Sequence, residues 1–109
     1  MALLHAVPGE PLDVRPLGER LTSQKTCALF KSAQLEVMRL VLQAGKSLPS
    51  HKVTGEITIQ CVEGILDIEL EGATVRLAAG DLMFLEGGAP HGVVAPVDAS
   101  ALVTIVLGA

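Results

Sequence analysis

The sequence predicts an all-β fold, a sandwich or barrel of short strands. Three observations carry that expectation. Short apolar segments rich in β-branched residues recur roughly every 6–12 residues, giving about eight to ten strands. Glycine-containing pairs punctuate them, at Glu63-Gly64, Glu71-Gly72 and Gly80-Asp81. No strand–helix–strand rhythm, internal repeat or linker interrupts the series.

Taken in order, Pro8, Pro11 and Pro16 make the start a poor helix, because proline fixes φ and lacks a donor. An extended arm over residues 1–20 is expected, with an edge strand at Leu12–Leu17. Lys25–Phe30 is the next strand candidate. In Gln34–Leu42 both parities are largely apolar, which suggests a strand covered on both faces; propensity alone would also allow a helix there. Gly45 and Pro49 break the chain. Glu56–Val62 is β-branched at Ile57, Thr58, Ile59 and Val62. Ile65–Leu70 alternates after the Glu63-Gly64 turn, and Ala73–Leu77 follows the Glu71-Gly72 turn. Leu82–Leu85 is a short apolar run, Glu86–Pro90 a loop, and Gly92–Ala95 and Ala101–Leu107 close the series. Residues 21–109 then form one β domain.

Composition narrows the functional classes. The chain has 109 residues, of which 50% are hydrophobic and 18% charged, which excludes a disordered chain. Roughly two-thirds of the unfolded surface is buried at this length, enough for one modest core. With two Phe and no Tyr or Trp, that core is aliphatic, and no aromatic platform exists for single-stranded nucleic acid. The net charge is −4 and the eight Lys and Arg are scattered, so neither nucleic acid nor an anionic membrane is an expected partner. No basic residue precedes Arg15 and no apolar run approaches membrane-spanning length, so neither a secretory signal nor a membrane helix is expected. Cys27 and Cys61 form no CxxC pattern and read as buried reduced thiols in a cytoplasmic protein. His5 reads as a solvated side chain.

Chemistry concentrates at two histidines, His51 and His91, which only folding can bring together. Each follows a turn containing Gly and Pro. One stretch runs from Gly45 through His51 and Val53 to Gly64; the other runs from Gly80 through Glu86 and Gly88 to His91. No GxSxG serine and no phosphate-binding loop competes with them.

These stretches resemble the two motifs of the cupins, small antiparallel jelly-roll barrels. The first motif is Gly, five residues, His, one residue, His, three or four residues, Glu, six residues, Gly. Gly45, His51 and Gly64 fit it without a gap. The second is Gly, five residues, Pro, one residue, Gly, two residues, His, three residues, Asn. Gly80, Gly88 and His91 fit it, again without a gap. The resemblance covers about Leu35 to Ala95 and implies an antiparallel jelly-roll barrel of cupin type.

In metal-binding members, three His and one Glu hold iron, manganese, nickel, copper or zinc. Carried over by position, two of these ligands are His51 and His91. Val53 and Ile57 occupy the other two places and cannot ligate, and Glu86 and Ala95 replace the Pro and Asn of the second motif. Glu56 is one residue out of step, which on a strand points it away from the interior unless a bulge at Thr54-Gly55 intervenes. Cys61 shares the parity of Ile57 but lies too far along the strand, so it reads as core.

The expected site is therefore a mostly aliphatic pocket around His51 and His91, lined by Val53, Ile57, Met38 and Phe84, that binds a small molecule. His51 and His91 are also an incomplete ligand set for a divalent transition metal. Two alternatives stand beside this reading: a metal-dependent enzyme of dioxygenase, isomerase or decarboxylase type, and a structural domain with a filled barrel. A mean hydropathy of +0.51 in so small a chain predicts a homodimer, as does the pairing common among cupins.

Overall fold

The computed structural model describes residues 6–108; His5 lies outside them. Among the described residues, nine strands form an antiparallel jelly-roll barrel. They are β1 (Cys27–Lys31), β2 (Leu35–Leu42), β3 (Ser47–His51), β4 (Ile57–Glu63), β5 (Ile65–Leu70), β6 (Ala73–Ala78), β7 (Leu82–Leu85), β8 (His91–Val94) and β9 (Ala99–Val106). One sheet has the order β1-β2-β9-β4-β7 and the other β3-β8-β5-β6. No helix among the described residues is long and apolar enough to cross a membrane.

Alternation builds the core. Ile57, Ile59 and Cys61 point inward from β4, while Leu66 and Ile68 oppose them from β5; none of the five is more than 3% exposed. Burying each such aliphatic side chain contributes about 1.5–3 kcal/mol, which makes this interior the main source of stability. The Glu71-Gly72 pair closes a two-residue hairpin, with Leu70 opposite Ala73. Glu63-Gly64 behaves differently: β4 and β5 lie in separate sheets, so Gly64 is a corner rather than a hairpin turn. Its φ is 74°, and a Cβ there would stand 2.1 Å from the Asp98 carbonyl oxygen, so only glycine fits.

β2 is covered on both sides, as its two apolar parities suggest. Leu40 and Leu42 face the core, yet Arg39 and Val41 are buried as well. The arm and a 3-10 helix (Gly18–Ser23) account for this. Arg39 donates to the carbonyl oxygens of Arg15 at 2.9 Å and Asp13 at 3.5 Å. The Glu63 carboxylate accepts the backbone N–H groups of Leu17 at 2.8 Å and Gly18 at 3.0 Å, together with the Ser100 hydroxyl.

Two expectations fail here for the same physical reason, the fate of backbone hydrogen-bonding groups. Leu12–Leu17 forms no strand. Arg39 and Glu63 take up its peptide groups, and Pro11 and Pro16 have no N–H to give a ladder. Conversely, the break expected at Gly45 and Pro49 contains a strand. β3 runs through Pro49, which is tolerated because β3 is the outermost strand of its sheet.

Candidate functional site

The site begins with an irregularity in β3. Opposite β8, Leu48 pairs with Val93 and His51 with His91, so three steps on β3 match two on β8. The extra residue is a bulge at Pro49-Ser50. Without it Ser50 would stand opposite His91; the added residue turns His51 to that place instead. Gly92 makes room for the bulge, since a Cβ there would lie 3.2 Å from the Leu48 carbonyl oxygen and 3.3 Å from the Ser50 nitrogen.

The two imidazoles consequently meet, with centroids 4.6 Å apart and planes at 50°. His91 is 4% exposed, whereas His51 opens to solvent. Both rings use the same local anchor. His51 Nδ1 lies 3.3 Å from the Pro49 carbonyl oxygen, and His91 Nδ1 lies 3.1 Å from that of Ala89. A carbonyl oxygen has no proton to give, so each Nδ1 is the N–H donor. In a neutral ring this leaves Nε2 as a bare acceptor.

The rings border a cavity of about 100 Å³. Its remaining wall is aliphatic or thioether, including Met38, Leu48, Val53, Ile57, Val93 and Ile105. The loops carrying the two motifs are joined beside it, where the Gly88 N–H donates to the Val53 carbonyl oxygen at 2.8 Å. Thus His51, His91, Met38, Val53 and Ile57 come together around one hollow.

Phe84 does not join them, which corrects the expected lining. It is 57% exposed and pairs with Thr58 on the outer face of its sheet, while its neighbours Met83 and Leu85 turn inward. An all-apolar run such as Leu82–Leu85 has no alternation from which to read its faces. Of the further wall residues, Ile59 stands between Thr58 and Gln60, an alternation that places it, whereas Leu40 and Val103 have the apolar neighbours Val41 and Leu102 and carry no such signal.

Glu56 stays exposed, and its carbonyl oxygen accepts the Val106 N–H. Cys61 is fully buried in the core, away from the cavity wall, and burial pushes its thiol up from the ordinary value. Among the described residues no group of three or more His, Cys, Asp or Glu side chains is placed to hold a metal ion. Val53 and Ile57 present methyl groups where carboxylate or imidazole would be needed, so these residues do not fit the four-ligand centre of metal-binding cupins.

Comparison with known proteins agrees with this architecture. No curated protein matches the chain in sequence. Among solved structures, a conserved protein of unknown function from Streptococcus pyogenes is 20% identical, with a TM-score of 0.77 over 96% of this chain and 93% of that one. An RmlC-like cupin from Shewanella frigidimarina is 21% identical, with a TM-score of 0.75 over 98% and 94%. An RmlC-like cupin from Desulfovibrio desulfuricans is 27% identical, with a TM-score of 0.73 over 89% and 98%. The family model for the cupin domain matches residues 38–107, well over half of the sequence, and the chain belongs to the cupin family.

Proposed function

We propose that this cupin binds a small molecule in the barrel, with the His51–His91 pair as the polar end of an otherwise apolar pocket. One observation carries the reading: the only imidazoles among the described residues meet at the rim of a hollow whose other walls carry no charge. Such a combination, apolar walls and few convergent polar groups, is the usual form of a small-molecule site. The metal-dependent reading is weaker, because two nitrogens with waters hold a divalent ion loosely.

A fragment screen by ligand-observed NMR, run with metal analysis of the purified protein, tests this. We expect hits that compete for a single site and are lost in Val53→Phe and Ile57→Phe, with divalent metal well below one ion per chain. Stoichiometric iron, manganese, nickel, copper or zinc that disappears in His51→Ala and His91→Ala would transfer the site to metal chemistry. A barrel with no hits and no metal would be a structural domain.

The same proposal includes a homodimer and a cytoplasmic setting. Leu82 and Phe84, 63% and 57% exposed on the outermost strand of the five-stranded sheet, supply an apolar outer face. Cys61 is buried, whereas Cys27 is exposed, contrary to the expectation of two buried thiols; both stand as free thiols, which suits a reducing compartment.

A further inference from the structure

We infer that the pocket selects a short aliphatic molecule whose head group donates hydrogen bonds, an alcohol or a primary ammonium, over an anion of the same shape. This rests on the pocket reading above and specifies its ligand. Both Nδ1 atoms spend their protons on backbone carbonyl oxygens. In their neutral forms the two rings, 4.6 Å apart, therefore offer two acceptors and no donor. The Met, Leu, Val and Ile side chains of the wall have no N–H or O–H to add. A carboxylate placed there would give up part of its water and gain no side-chain donor in return, whereas a head group with protons to give recovers hydrogen bonds from the two rings. A hydroxyl supplies one proton to the pair, and an ammonium has three, enough for both rings.

Size and charge point the same way. A dry aliphatic cavity of about 150 Å³ accommodates benzene. A hollow of about 100 Å³ fits a smaller body, about four heavy atoms by that yardstick, so a four-carbon tail fills it and the head group sits at the rim. His51 is exposed, so the head group keeps part of its hydration, which makes even an ammonium tolerable there. The net charge of −4 favours a cation over an anion at long range.

The test uses three probes with one branched tail: isobutanol, isobutylamine and isobutyrate. Each is titrated at pH 8, with chelator present, into the full-length protein, while the His51 and His91 ring signals and the Val53 and Ile57 methyl signals are followed by NMR. Ligands this small bind at best with millimolar affinity. We expect saturable shifts from the alcohol, the amine or both, and binding of isobutyrate at least about tenfold weaker. Which of the two binds tighter separates an alcohol ligand from an ammonium one. Replacing one ring, in His91→Leu or in the exposed and less disruptive His51→Leu, should weaken the donor probes about fivefold, the value of one hydrogen bond. Isobutyrate binding as tightly as the donors would overturn the inference. Xenon keeps the two levels apart. If xenon enters and the head groups are not distinguished, the selectivity falls and the pocket stands; if xenon is also excluded, both fall.

Discussion

His51 and His91 reach one geometry by one device, a ring folded back onto the carbonyl two residues earlier, with Pro49 and Pro90 in the segments concerned. Residue identity alone indicated the pair; the bare Nε2 atoms depend on backbone placement, which no spacing rule supplies. Glu63 shows the converse. In the sequence it is an ordinary acidic turn residue, yet it anchors the arm. Burial pushes its carboxyl up, but the Ser100 hydroxyl, the Leu17 and Gly18 N–H groups and the nearby Arg39 charge outweigh that, and the net shift is down from 4.5. A depressed carboxyl stabilises the fold fully above its unfolded value and loses that contribution as pH falls through the lower folded value. Glu63→Gln should therefore cost about 1–3 kcal/mol at pH 7, the scale of hydrogen bonds to a charged group. Urea denaturation at pH 7 and pH 3 checks the sign: the gap between wild type and variant should narrow at pH 3, and a gap that widens on acidification is incompatible with the anchor.

At the scale of elements, alternation located β5 to the residue, a short apolar run bounded by turns did the same for β7, and most other strands fall within about two residues, the ordinary uncertainty of element ends. β3 was hidden because proline and glycine read as breakers, and only an edge position in the sheet makes that strand possible. The bulge in β3 was equally hidden, although it is what turns His51 toward His91. Gly92 beneath it carries a specific consequence. A methyl group there would meet Leu48 and Ser50 backbone atoms at 3.2–3.3 Å, close enough to push the bulge by a few tenths of an ångström. We predict that Gly92→Ala folds, with a loss of about 1–3 kcal/mol from overpacking. It should also shift the His51 ring resonances while leaving methyl signals of Leu66 and Ile68 in place. An unchanged His51 environment would separate the bulge from the ring pair.

For the whole molecule, barrel architecture followed from strand spacing, turn glycines and the two gapless motif matches, because each signal is local in sequence. The outer surface did not, since the burial of Arg39 and Val41 and the exposure of Phe84 depend on which segments lie across which sheet. That exposed face has its own consequence. Light scattering at micromolar concentration should give the mass of a dimer for the wild type and of a monomer for Phe84→Glu. As a surface change, the substitution should alter stability by no more than about 0.5 kcal/mol. A monomeric wild type would remove the dimer.

The most direct measurement of the ring pair is a long-range proton–nitrogen NMR spectrum of the histidine side chains above pH 7, combined with proton–proton contacts. Both His51 and His91 should carry their proton on Nδ1 and leave Nε2 bare, with ring protons close to each other and to Ile57 methyl protons. Protonation on Nε2 in either ring, or rings with no mutual contact, would contradict the proposed pocket at its foundation.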